Sequence, residues 1–212
     1  DEGNPAQAKA PYSYALEPDL ADLYYGGQVG GGLWSNVREA KNWGQEIIWS
    51  TTYDPEIVAG TWNFNHWTGR FISPYLLDKF VVDGYRALIK HDSVQRAADG
   101  YICCNHIKRN RTGNNNENQF YFARYAGILT LMAYVENEIN SGPTTLAEAC
   151  LNAVKARARA GDGVTTYAEP ADVASGLSYD AFKDAVMDER AVELLHEEKF
   201  MFDAWMSGNM ER

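Results

Sequence analysis

Phe120-Tyr-Phe-Ala-Arg-Tyr-Ala-Gly-Ile-Leu-Thr-Leu-Met-Ala-Tyr-Val-Glu-Asn-Glu-Ile-Asn140 opens a run of about ninety residues whose periodicity decides the fold. Phe122, Tyr125, Leu129, Met132, Val135 and Ile139 fall three or four apart, so they form one apolar stripe on a 3.6-residue helix that must dock on something. Ser141-Gly142-Pro143 ends it, because glycine can terminate a helix and proline cannot continue one. Thr145-Leu-Ala-Glu148 then reads as a capping box that starts a second helix. Leu146, Ala149, Cys150, Ala153 and Val154 give that helix a narrow stripe of small residues, which predicts close approach in an antiparallel hairpin.

A third helix is expected from about Ser178 to Met206. Glu189, Glu193 and Glu197 recur every four residues along it, and like charges at that spacing oppose an isolated helix. Unless water solvates the row, a cation must face it. Arg124, Arg157 and Arg159 are the candidates.

These segments resemble a family. Phe122 to Glu138, Leu151-Asn-Ala-Val-Lys-Ala-Arg-Ala158, Asp188-Glu-Arg-Ala-Val-Glu-Leu194 and Lys199-Phe-Met-Phe-Asp203 are similar in order and spacing to the closing segment of SusD/RagB proteins. That segment typically reads arginine-tyrosine-alanine, an alanine-rich helix, valine-arginine-x-arginine, glutamate-arginine, glutamate-leucine and a late phenylalanine-aspartate. Glu46-Ile47-Ile48-Trp49 also matches the family's glutamate-isoleucine-isoleucine-aromatic strand. The chain departs from the pattern at Glu198-Lys199, where a glycine and then an arginine are usual, and at Gly127 and Thr130.

Composition excludes several classes of function. The 212 residues carry a formal charge of −10 with a pI near 4.8, which argues against a nucleic-acid partner, since neutralising phosphates needs clustered lysine and arginine. No window approaches the roughly twenty apolar residues of a spanning helix. Cys103, Cys104 and Cys150 lack metal-ligand spacing; the first two read as reduced thiols in a strand and Cys150 as a small core residue. His196-Glu197 begins like a zinc-peptidase signature, but Phe200 stands where the second histidine belongs. His66, His91, His106 and His196 are scattered, so no catalytic residue, metal site or cofactor is assigned. The glycine-rich stretch 26–32 lacks the strand and lysine of a phosphate cradle.

Residues 1 to about 15 read as an arm that only packing elsewhere would order. Glu46 to Tyr53 is the best strand, and its alternation puts Ile47, Trp49 and Tyr53 on one face, with Trp49 expected in the core. Tyr101 to Lys108 reads as another strand. From Trp62 to Tyr75 no period holds, and Trp62, Asn63, Asn65, His66 and Trp67 interleave flat rings with directed polar groups. Sugars need that pairing, because their C–H faces stack on aromatic rings while their hydroxyls seek donors and acceptors. The same aromatics would equally serve to plug the loop onto the core.

The expected fold is mostly α, with a tetratricopeptide-like hairpin in residues 119–212 beside an irregular, ligand-facing part with short strands in residues 1–118. The resemblance implies the C-terminal portion of a longer lipoprotein of the Bacteroidetes outer membrane, surface-exposed and anchored through an N-terminal cysteine absent from this chain. It further implies oligosaccharide binding without chemistry, for which the residues themselves, not the resemblance, point to Trp62 to Trp67, and two protein partners. These are the missing N-terminal part and a TonB-dependent transporter of the SusC type. A glycoside hydrolase fragment, or a helical scaffold without a small ligand, are the other readings.

Overall fold

The computed structural model describes residues 4–8, 11–20, 23, 45–51, 71–72, 78–79, 84–86, 91–97, 100–103, 120–195, 197, 203 and 208. The named elements among the described residues are β1 (Ile47–Thr51), β2 (Phe71–Ile72), β3 (His91–Ala97), β4 (Gly100–Cys103), β5 (Phe120–Arg124), α1 (Tyr125–Asn140), α2 (Thr145–Ala160) and α3 (Tyr179–Glu193), in that order. The described part is mostly helical, with α1 and α2 forming the tetratricopeptide-like hairpin. β2, β4 and β3 make a small antiparallel sheet in that order, and β1 pairs antiparallel with β5 in a separate ribbon.

Each helix boundary has a local cause, and several differ from the sequence expectation. The stretch Phe120–Arg124 is strand, not the first turn of α1: Arg124 is the extended N-cap, and its neighbour Tyr125 donates its N–H to Glu46 O at 2.8 Å. At the other end Ser141, not Gly142, takes the left-handed conformation at φ 53°, and the Gly142 N–H reaches Asn137 O at 3.1 Å. The cap of α2 sits one residue earlier than the capping box predicts: Thr144 Oγ1 accepts from Ala147 N at 3.1 Å. Glu148 is thereby freed from capping and instead accepts from Ser175 Oγ at 3.2 Å. Ser178 caps α3 as expected, accepting from Ala181 N at 3.3 Å. The helix ends at Glu193 with Leu194 as its C-cap, well short of Met206.

The core lies between the three helices. Ala126, Leu129 and Ala133 of α1 meet Ala147, Cys150, Leu151 and Val154 of α2 and Phe182 and Val186 of α3. Small residues on facing surfaces allow close interaxial approach, and Cys150 is the packed apolar side chain its position predicted. Within this core Thr130 Oγ1 donates to Ala126 O at 3.0 Å and Asn137 Nδ2 to Tyr179 O at 3.1 Å, while Asn137 Oδ1 is buried without a hydrogen-bond partner.

The N-terminal arm is ordered by packing. Leu16 N donates to Ala6 O at 3.0 Å, Ala8 N to Tyr14 O at 2.7 Å, and Leu16 joins the helical core. Tyr125 of α1 clips the arm by donating its hydroxyl to Pro5 O at 3.0 Å.

α1 docks on a face different from the one its apolar spacing suggested. Tyr125 and Leu129 are buried, but Ile128, Leu131, Met132, Val135 and Ile139 lie on the surface, and Phe122 precedes the helix. The docking side is instead the small one, Ala126, Thr130, Ala133 and Asn137. Close helix packing selects for small side chains, and the larger aliphatics are left outside.

Candidate functional site

Trp62, Asn63, Asn65, His66 and Trp67, the expected carbohydrate contacts, lie outside the described residues. So do Tyr53, Cys104, His106 and His196.

The described residues hold two other features: a buried charge cluster and an exposed aromatic pair. The cluster answers the row of glutamates on α3. Arg124 donates Nη1 to Glu193 Oε1 and to Glu46 Oε1, both at 2.6 Å, and Nε to both Glu197 oxygens at 2.9 and 3.0 Å. Arg157, reaching up from α2, donates Nη1 to Glu46 Oε2 at 2.9 Å and Nη2 to Glu193. Arg86, from a helical stretch that includes Gly84, donates Nη1 to Glu189 Oε1 at 2.5 Å and to Glu193 Oε2 at 2.9 Å. Lys155 completes the set at 3.2 Å from Glu189.

Of the expected cations, Arg124 and Arg157 face the row. Arg159 points away to Asp172 at 2.6 Å, and Arg86 was not foreseen. Glu46, Glu193 and Arg124 are fully buried. Three arginines and Lys155 match the four glutamates, so these eight groups together carry no net charge, the condition under which burial of ions is tolerated. Burial pushes the Glu189 carboxyl up, but Arg86 and Lys155 outweigh it and hold the group below its ordinary value of 4.5.

A second buried pair ties the chain's end back to α1. Arg190 grips Asp203 through Nε and Nη2, each at 2.8 Å, the bidentate geometry in which arginine binds a carboxylate most strongly. Its Nη1 donates to Thr130 Oγ1 at 2.8 Å and to Gly127 O at 3.1 Å. Gly127 and Thr130, two of the departures from the family pattern, are therefore partners of the glutamate-arginine motif.

Every buried acid in the main cluster has an arginine on it. Among the described residues no group of three or more His, Cys, Asp or Glu side chains is placed to hold a metal ion. No described helix is long and apolar enough to cross a membrane.

On the outside of the β1–β5 ribbon Trp49 is 64% exposed, in contrast to its expected place in the core. Register shifts on both sides of Trp49 break the simple two-residue alternation on which that expectation rested. Phe122 of β5 stacks on it with ring centroids 4.6 Å apart and planes inclined by 29°. The inner side of the same ribbon carries Tyr121, whose hydroxyl donates to Leu23 O, and Arg124.

With this geometry in place, comparison with known proteins is direct. The SusD family profile matches residues 14–205, and the chain belongs to the SusD family. The SusD-like protein P2 of Formosa agariphila is 31% identical over 91 residues, a stretch that covers 43% of this chain and 17% of that protein. A SusD homolog from Bacteroides thetaiotaomicron shares the fold at 20% identity and a TM-score of 0.62, covering 93% of this chain and 46% of its own. Surface glycan-binding protein A from the same organism, solved in complex with laminarihexaose, superposes at a TM-score of 0.59 and 17% identity, covering 95% and 48%. The chain thus spans about half the length of these solved relatives.

The family's motifs now have physical roles. Arg124, Arg157, Glu189, Arg190, Glu193 and Asp203 all belong to the two buried ion networks. The signature marks the fold's internal wiring.

Proposed function

We propose that this chain is part of a protein that binds oligosaccharides at the bacterial outer-membrane surface, performs no chemistry on them, and passes them to a TonB-dependent transporter of the SusC type. Membership of the SusD family over residues 14–205, with a fold shared with surface glycan-binding proteins, carries this reading. Residues 1–118 form its ligand-facing part, with Trp62, Asn63, Asn65, His66 and Trp67 as the carbohydrate contacts. The anchor is a lipidated cysteine in a portion of the protein outside these residues.

Two observations add support. A glycosidase needs two carboxyl groups facing one glycosidic bond, whereas Glu46, Glu189, Glu193 and Glu197 are turned inward onto arginines. The aliphatic face of α1, Ile128 to Ile139, is the kind of contiguous apolar surface that marks a docking site. We place the N-terminal portion of the same protein against it.

Calorimetric titration with a panel of oligosaccharides tests the reading. Saturable binding without turnover is expected, with Trp62→Ala and Trp67→Ala each weakening it. Release of shorter sugars would overturn the non-catalytic assignment, and unchanged affinity in both variants would move the site elsewhere.

A further inference from the structure

Trp49 is held in an unusual way. A tryptophan ordinarily buries most of its ring and keeps only its N–H edge near water. Here the residue is 64% exposed although a second ring, Phe122, lies behind one face of it at 4.6 Å. Phe122 is itself 41% exposed, so the pair forms a flat apolar surface that stands out from the ribbon.

The ribbon is built to hold that surface still. The pairing register shifts between Ile47 and Trp49 and again between Trp49 and Ser50, and such breaks in a ladder re-aim a side chain. Glu46, immediately before β1, and Arg124, the last residue of β5, are fully buried and joined at 2.6 Å. Tyr121, next to Phe122, is buried on the opposite side. The two strands are therefore clamped from within by an ion pair, and their outward rings are pre-positioned. A rigid aromatic plate lowers the ordering cost of binding.

We propose that Trp49, backed by Phe122, is a stacking platform for the apolar C–H face of a pyranose unit, a contact additional to the Trp62 to Trp67 loop. This rests on the glycan-binding reading. A pyranose with equatorial hydroxyls has flat C–H faces that match an indole in size, while its hydroxyls stay in water around the rim. The aliphatic ridge of α1 has the opposite character, since it suits the side chains of another helix. The flat pair and the ridge thus select different partners. With its inner face occupied by Phe122, the indole offers one stacking face, so the platform takes a single sugar ring.

The test is calorimetric titration of the whole 212-residue chain with laminarihexaose, cellohexaose and maltohexaose, combined with the indole N–H resonances, among which Trp49 is identified by its loss in Trp49→Phe. For the best-bound sugar, Trp49→Ala is expected to raise Kd roughly tenfold and Trp49→Phe, which keeps a flat ring, by no more than about threefold. The Trp49 resonance shifts on titration, and circular dichroism of the variants is unchanged. If the unaltered chain binds and Trp62→Ala or Trp67→Ala weakens it while Trp49→Ala does not, the platform falls and the glycan reading stands. If the unaltered chain binds none of the three sugars, both fall. If Trp49→Ala leaves sugar affinity intact but changes self-association in ultracentrifugation, the pair is a protein interface and the proposal is wrong.

Discussion

Two buried regions meet at α1 and hold the chain by different means. Between the helices the contacts are apolar and close, with Leu151, Val154, Phe182 and Val186 fully buried against alanines. At the N-terminus of α1 the contacts are ionic, and they join residues up to 111 positions apart. The apolar region tolerates error by degrees, because a lost methylene costs a fraction of the whole. The ionic region does not, because removing one member leaves its partners charged, buried and unmatched. This family's sequence signature is thus written mainly in the less forgiving region.

The largest effect should come from the ionic side. Arg124→Met, which strands Glu46, Glu193 and Glu197, is expected to cost about 3–5 kcal/mol in urea unfolding. Leu151→Ala, in the apolar region, should cost about 2–5 kcal/mol by loss of packing and the cavity left behind. A loss smaller for Arg124→Met than for Leu151→Ala would break the distinction between the regions.

Acid separates them further. The Glu189 carboxyl titrates below its ordinary 4.5 in the folded chain, so it binds its proton less readily folded than unfolded. Its stabilisation is fully present above about pH 4.5 and is lost as the pH falls through the lower folded value. Thermal melts between neutrality and pH 3 should show this loss, and Glu189→Gln should flatten it. The cost of Leu151→Ala should stay the same across the range, and a parallel pH dependence in that variant would show that the two regions are not independent.

A smaller test concerns the helix cap. Thr144→Ala should cost about 1 kcal/mol, while Thr145→Ala should stay within about 0.5 kcal/mol. Smallest of all is the outward ridge. Ile139, 74% exposed, should accept lysine with a change within about 0.5 kcal/mol in this chain. The same substitution should matter to any assembly that covers α1.

Much of the helical part was legible. Apolar period, Ser178 and the Ser141-Gly142-Pro143 stop place the three helices and most of their ends to within a few residues, because these signals act over one or two turns, but the third helix ends at Glu193 and not near Met206. β1 was legible from its β-branched and aromatic content. The row of glutamates announced a cationic partner, and two of the three arginines suggested for it are there. Arg86 was invisible, since nothing in Gly84-Tyr85-Arg86 refers to α3, which lies about a hundred positions away. The docking face of α1 was misread for a related reason. Its large aliphatics and its small residues both follow helical spacing, and only the neighbours decide which side is buried. Trp49 was misread because the register shifts on either side of it leave no mark in the strand's composition. The expected sugar contacts, Trp62 to Trp67, lie outside the described residues, so their placement rests on the sequence alone.

The sequence by itself determined the three helices, the caps that start the second and third within a residue, and membership of the family, because periodicity, capping and motif order are properties of neighbouring residues. The tertiary structure alone decided which face of α1 is buried, which arginines neutralise Glu189, Glu193 and Glu197, and that Trp49 faces water. Those outcomes depend on contacts between distant segments, where burial, charge matching and backbone register are settled together.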